Sequence, residues 1–389
     1  MQRSEGRIIT THVGALPGPH EMWASSDVAD AEVRAAAADI VRRQVSAGVD
    51  LVNEGEITKG GNWVGFITGR LAGFEAVPSG ETAQLLWSST DWQKFGDFYH
   101  AAQDGGTLFE QTRSAPTQNN GVRDLHCTTP ITYIGHDKLQ REIDALKAAL
   151  DAAGRPLSDG FLTTTAPTSV EVGRTNHHYK SEEDFVFALA EALREEYLAI
   201  TQAGLSVQVD DAWMAALWDR IGVPMGIEKF RKYCAMRIEA LNHALRGIPI
   251  EQVRYHMCWG SWHGPHSADL PLKDIVDEML KIDAQMFLIE AANARHEHEV
   301  TVWEHVKLPE GRILAPGVVS HATPVIEHEE LVAMRIARFA ERVGRENVVA
   351  STDCGLGLRC HPQIAWAKLE ALVKGAQLAS ERLFAGALV

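Results

Sequence analysis

The sequence has no run of about 18 apolar residues that could span a bilayer, and its start, MQRSEGRIITTHVG, lacks the apolar core of a secretory signal. A cytoplasmic location is the expectation. Cysteine is scarce, with five among 389 residues, an odd number. That excludes a disulfide scaffold and suits a reducing compartment in which thiols serve metal binding or reactivity. Positive charge is also short, 37 Lys and Arg against 52 Asp and Glu, for a formal net charge of −15. Such a chain repels phosphate backbones and anionic lipid, so neither nucleic acid nor membrane is expected as a partner. No charged low-complexity tract and no linker divides the chain into domains. What is there is an ordinary globular composition, 45% hydrophobic and 23% charged, long enough to bury a large core. A homo-oligomer is left open.

Short apolar runs rich in β-branched residues alternate with long amphipathic stretches. Strands are predicted at Arg7–Val13, Val49–Glu54, Gly160–Thr165, Leu205–Asp210, Val253–Cys258, Gln285–Glu290, Arg312–Val319 and Asn347–Thr352. Their near-continuous apolar character suits parallel strands covered on both faces. Helices are predicted at Asp27–Ala47, His136–Ala153, Ser181–Ala203, Ile227–Arg246, Leu272–Ile282, Glu327–Val343 and Gln363–Leu383, with His296–Lys307 the weakest pattern. Gly48, Gly154, Gly204, Gly247 and Gly344 follow helices as C-terminal stops. The alternation predicts an α/β fold, a (β/α)8 TIM barrel over residues 1–389 as a single domain. One stretch breaks the rhythm. Residues 60–130, rich in Gly, Trp, Ser and Thr, read as an insertion after the second strand at the active-site end of the barrel, able to carry short strands of its own.

In such a barrel the chemistry gathers at the C-terminal ends of strands. His12, Glu54, Glu56, Asp210, Asp211, His256, Cys258, Glu290, His321, Asp353 and Cys354 all follow predicted strands directly. The sharpest constellation is His256-Met257-Cys258. Positions i and i+2 of a strand face one side, so imidazole and thiol point together into the barrel mouth. Glu290 closes the next strand and Cys354 the last, giving four donors from three strand ends and a tetrahedral nitrogen, sulfur and oxygen set suited to zinc. Cys127 and its neighbour His126 face opposite ways, Cys234 falls in a helical pattern, and Cys360 begins the last helix; none is expected on the metal. Buried cysteine behaves as a small hydrophobe in its own right.

The stretches HMCWGSWHGPH, PGVVSH and STDCGLGLR, with THVGALP and NEGE, resemble the cobalamin-independent methionine synthase superfamily. More closely, they resemble its single-barrel branch containing epoxyalkane:coenzyme M transferase. The likeness runs along nearly the whole chain and is densest from Val253 to Ala379. It implies a zinc ion on His256, Cys258, Glu290 and Cys354 that activates a thiol for attack on an alkyl donor. It also implies that Glu56 and Asp210 hold the amino group of the substrate, that His321 is the proton donor, and that Arg359 is a basic residue of the substrate site. His12 and Trp259 complete the expected substrate-binding set, with Trp262, His263 and His266 in the loop after Cys258. Ala15, Gly18 and Asp211-Ala212 depart from the methionine-synthase pattern, as does the absence of a second, N-terminal barrel.

A free thiol has a pKa near 8.5 and is only a few per cent ionised at neutral pH, whereas coordination to zinc removes its proton. Two thiolates, a carboxylate and a neutral imidazole make an electron-rich site that leaves the incoming sulfur nucleophilic. A His-rich site would favour activating water instead. The expected activity is zinc-dependent alkyl transfer to a small thiol, with epoxide opening in the manner of epoxyalkane:coenzyme M transferase as the first reading. The alternative is methyl transfer to homocysteine from a folate or another methyl donor.

Overall fold

A computed structural model gives the fold and describes residues 1–19, 28–59, 63–78, 88–107, 124–357 and 359–385, of which 63–65 are backbone only. Among these residues the strands are β1 (Ile9–Thr10), β2 (Leu71–Val77), β3 (Asp124–Tyr133), β4 (Phe161–Thr165), β5 (Arg174–Asn176), β6 (Ser206–Asp211), β7 (Val253–Met257), β8 (Met286–Ile289), β9 (Ile313–Val319) and β10 (Val349–Thr352). One parallel sheet runs in the order β1-β10-β9-β8-β7-β6-β4. A small second sheet holds β2 antiparallel to β3 and β3 parallel to β5.

The parallel sheet is curled. Ile9, Leu51, Met286, Leu288, Ile313 and Val349, from β1, β8, β9, β10 and the 49–53 segment, meet in one inner apolar cluster, and Gln208 of β6 and Arg254 of β7 reach across to the Val13 and His12 carbonyls beyond β1. Between the outermost strands lies Val49–Asn53: the Leu51 N–H donates to the Thr10 carbonyl, Val52 N–H to Asp159, and Phe161 N–H back to Val52. β4, β6, β7, β8, β9 and β10 are buried at every position, as both-face burial in a parallel sheet requires.

The strand predicted at Val49–Glu54 is corrected to a single bridge, Val52 opposite Gly160. Side chains have taken the backbone groups that a ladder needs. Asp50 accepts the Thr10 N–H at 2.8 Å. The Gln44 amide brackets Asn53, accepting its N–H at 3.2 Å and donating to its carbonyl at 2.6 Å. β1 is cut short relative to Arg7–Val13 in the same way, because Ile9 N–H donates to the Ser4 hydroxyl and Val13 N–H to that of Thr352.

Helices at Asp30–Ala47, His136–Ala152, Glu182–Gln202, Ile227–Leu245, Glu329–Val343 and Pro362–Phe384 match their sequence patterns. Helix 329–343 shows why: Val332, Ala333, Ile336, Phe339 and Ala340 recur at helical spacing, and all are buried. Two predictions need correction. Leu272–Ile282 is a 3-10 turn, Leu272–Asp274, and a short helix, Val276–Met279, parted at Ile275 with φ −130°. His296–Lys307 is a 3-10 helix at Glu297–Glu304. Residues 60–130 contain β2, most of β3, and helices Thr90–Lys94 and Gly96–Asp104; residues 60–62, 79–87 and 108–123 lie outside the described set, as does Asp27. Among the described residues no helix is long and apolar enough to cross a membrane.

Candidate metal centre and active site

β6 and β7 set the site in register, with Gln208 opposite Arg254 and Asp210 opposite His256. The two-residue strand period puts all four on one face. Asp210 Oδ1 lies 2.7 Å from His256 Nδ1, so the imidazole donates there and keeps its lone pair on Nε2. That Nε2 is buried and has no partner, an arrangement that costs free energy unless something accepts the lone pair. A carboxylate behind an imidazole is how metal-ligating histidines are oriented. Cys258 follows β7 and Cys354 follows β10; their sulfurs are 4.0 Å apart. Ligand atoms of His256, Cys258 and Cys354 all lie within 4.8 Å of one another. The hydrogen bond from Cys258 holds the Cys354 thiol well below the ordinary range, helped by Arg359 and His321, while Cys258 is pushed well up.

Glu290 falls in a second group, with His321 and Asp353. Its Oε1 accepts the Trp259 N–H at 3.0 Å and its Oε2 the Asn293 side-chain amide at 2.8 Å. Asp353 accepts the N–H groups of Ala291 and Ala292 at 2.7 and 2.8 Å, so it fixes the chain just beyond Glu290. Burial pushes Glu290 up to about 7, and its charge acts on both His256 and Cys258. The carboxylate is thus anchored beside the sulfur pair rather than within it.

His321 follows β9, is buried, and has an unpartnered Nδ1. Burial holds it down to about 3 against the pull of Cys354, so the free site contains neutral imidazole. Cys360 lies outside both ligand groups, its sulfur 3.6 Å from the His321 carbonyl. Cys127 sits in the small sheet and Cys234 in helix 227–245, both buried.

Asp210, bonded to His256, belongs to a group of buried carboxyls with unpartnered oxygens, namely both of Glu54, Oε1 of Glu56 and Oδ2 of Asp210. Glu56 has φ +58°, a strained conformation for a residue with a side chain. Burial pushes it up to about 8, opposed by Lys59 and reinforced by Asp210 and Glu54. Lys59 itself is spent on Thr163. Glu56 is therefore protonated in the fold well above its ordinary 4.5, so stability is lost as pH rises towards about 8. Urea midpoints of wild type and Glu56→Gln should be close at pH 5. By pH 8 the Gln variant should be the more stable by at least about 1 kcal/mol; parallel profiles would contradict the raised pKa.

Gly14 makes room for the same carboxyl, since a Cβ there would lie 2.0 Å from Glu56 Oε1. Gly14→Ala should displace Glu56 and weaken thiol binding by more than about tenfold while leaving metal content intact. Joint loss of both would show a folding defect instead.

The other expected substrate residues are more committed. His12 Nε2 bonds Gln44 at 2.7 Å, leaving Nδ1 unpartnered. Arg359 donates to the Ser261 hydroxyl and the Gly357 carbonyl. Trp259 is 1% exposed, its indole N–H on the Leu270 carbonyl at 2.7 Å and its ring 4.6 Å from that of His296. Sequence reasoning missed two groups. Arg254 is a buried guanidinium 3.6 Å over the Phe161 ring, donating to the His12 carbonyl; an arginine within the apolar run VRYHM was its signal. His296 has carboxylates at both ring nitrogens, Glu299 at 2.8 Å and Asp269 at 3.1 Å. Burial opposes its charge, but those bonds hold it up to about 10, a fixed cation behind Trp259.

A family model described as "Cobalamin-independent synthase, Catalytic domain" matches residues 127–378. The chain is 26% identical to 2-hydroxypropyl-CoM lyase of Xanthobacter autotrophicus over 269 residues, 62% of this chain and 66% of that protein. It is 28% identical to methionine synthase of Saccharolobus islandicus over 225 residues, 57% of this chain and 59% of that one. Each match spans less than two thirds of the relative's length. A solved B12-independent methionine synthase from Shewanella, in complex with selenomethionine, superposes with a TM-score of 0.67 at 18% identity, covering 97% of this chain and 99% of that one. That last likeness is one of fold.

Proposed function

Because the chain belongs to the cobalamin-independent synthase family, through its catalytic domain, we propose that it transfers an alkyl group to a small thiol at a zinc held by His256, Cys258 and Cys354, with Glu290 as the fourth ligand. The observation that carries the reading is that His256, whose buried Nε2 has no partner, forms with the two cysteines a group whose ligand atoms lie within 4.8 Å of one another. A zinc ion there would supply a thiolate at neutral pH. The curled sheet is proposed to close as a single (β/α)8 barrel through Val49–Asn53, with residues 60–130 inserted at its active-site end. Neither nucleic acid nor membrane takes part.

The residues divide the remaining work. Asp210 fixes the His256 tautomer. His321 takes up the proton released by the thiol and passes it on. The sulfur lone pair forms the new C–S bond, the C–O pair of an epoxide leaves as alkoxide, and the His321 proton ends on that oxygen. With a methyl donor, the N–CH3 pair returns to nitrogen and takes the same proton. Similarity to the CoM lyase supports the epoxide.

For the thiol, geometry favours an amino-bearing acceptor such as homocysteine. The unused oxygens of Glu54, Glu56 and Asp210 suit an ammonium group, whose charge would draw Glu56 back to its ionised form, and offer a sulfonate no counter-charge, while Arg359 is already engaged by Ser261 and Gly357. Homocysteine and coenzyme M, each with 1,2-epoxypropane or 5-methyltetrahydrofolate, separate the readings by product mass. Homocysteine should be alkylated. At saturating zinc, Asp210→Asn should raise its KM more than about tenfold; its loss from behind His256 should also weaken metal binding about 10–100-fold. Exclusive use of coenzyme M, abolished by Arg359→Ala, would overturn the amino-thiol assignment in favour of a sulfonate.

A further inference from the structure

Residues 259–270 form a loop without helix or strand that begins at Cys258. Its ends are secured from the metal side. Trp259 donates to Glu290 and Leu270, the Gly260 N–H lies 3.3 Å from the Cys258 sulfur, and Ser261 receives Arg359. The apex is secured from the opposite side, by residues 88–104.

Asp91 is 1% exposed and spends its carboxylate on one residue of that apex. Its two oxygens receive the Ser267 N–H at 3.1 and 3.0 Å, and Oδ1 also receives the Ser267 hydroxyl. Asp91 is itself seated by donating its N–H to Asp219 Oδ1 at 3.3 Å, while the Thr90 hydroxyl donates to the Asp219 carbonyl. Tyr99 adds a second tie, accepting the Trp262 indole N–H at 3.3 Å and stacking on Trp92 at 4.7 Å. Within the loop Trp262 stacks on His266 at 4.5 Å, and the Arg220 guanidinium lies 5.0 Å from the Trp262 ring. His266 has φ +49°, a conformation that persists only where its surroundings enforce it.

We infer that Asp91 is a positioning residue for the transfer: it clamps the 259–270 loop closed beside the metal-ligating cysteines, so that residues 88–104 set how tightly the alkyl donor is held. The inference rests on the proposed thiol alkylation. Ionised carboxylates bonded to N–H and O–H donors make the stronger class of hydrogen bond, and this one joins segments 176 positions apart. The loop bears Trp262, His263 and His266, the last two close enough to His321 for their charge to act on it. Opening it would admit water to the thiolate and remove a wall from the electrophile.

The test uses the zinc-loaded full chain with homocysteine and 1,2-epoxypropane, and Asp91→Ala and Ser267→Ala as variants. In Asp91→Ala, amide hydrogen exchange over residues 262–268 should quicken by about tenfold or more. The KM for the epoxide should rise about 10–100-fold, with kcat within about threefold and zinc content unchanged. Ser267→Ala keeps the backbone N–H bond and should show the same split at about three- to tenfold, a readout that stands even if Asp91→Ala fails to fold. Unchanged exchange, or faster exchange with an unchanged KM, overturns the clamp. No turnover in wild type overturns the reading of homocysteine alkylated by an epoxide, and the donor role with it; exchange still decides whether Asp91 holds the loop.

Discussion

Replacing Cys258 or Cys354 by alanine is expected to remove most of the bound zinc and all transfer activity. The two sulfurs and a ring nitrogen of His256 form one group of ligand atoms within 4.8 Å of one another, and each cysteine is buried. A tetrahedral site that loses one of its thiolates keeps too little charge to hold the ion against water. A buried Cys→Ala change removes little volume, so the variants should fold, and metal analysis on folded protein isolates the ligand role. Glu290→Gln should be milder, because Glu290 stands beside the sulfur pair, anchored by Trp259 and Asn293. Full zinc content in both alanine variants would refute the ligand assignment.

The second large effect is expected at His321. Attack on an epoxide leaves an alkoxide, and departure of an amine leaves nitrogen needing a proton, so either donor requires an acid. Burial keeps the resting imidazole neutral, so the proton it delivers must come from the thiol. Loss of a general acid costs about 10²–10⁴-fold in rate. His321→Asn should therefore keep its zinc and its thiol affinity, yet turn over an unactivated epoxide slower by that factor. An alkyl iodide, whose leaving group takes no proton, should lose much less, because the thiol's proton can then leave to solvent and no acid is needed. Equal losses with both electrophiles would reassign His321 to scaffolding.

The candidate metal ligands were legible in the sequence because strand geometry is so regular. His256 and Cys258 share a face by the two-residue period, and Cys354 and Glu290 follow from the rule that barrel chemistry sits at strand ends. The carboxylates were legible as residues but not as an unpartnered set, since burial and partner count emerge only with packing. The second strand was misread for a similar reason. Nothing local marks Gln44 as the residue whose amide would bracket Asn53 and end the ladder at Val52. Asp91 was invisible, because its meaning depends on Ser267, far along the chain. Helix 272–282 is interrupted at Ile275, with φ −130°, although Glu299 accepts the Leu272 N–H at its start. Periodicity reports local preference, and at Asn53 a tertiary side-chain bond overrides it.

The central claim is that a small thiol binds directly at the metal of the His256, Cys258 and Cys354 site. Titrating thiols into the cobalt-substituted protein tests it. Homocysteine should bring up a new sulfur-to-cobalt charge-transfer band that saturates at one thiol per metal and is lost in Cys354→Ala. A cobalt spectrum indifferent to every small thiol, in protein that holds its full complement of metal, would mean a closed structural site and would contradict the account.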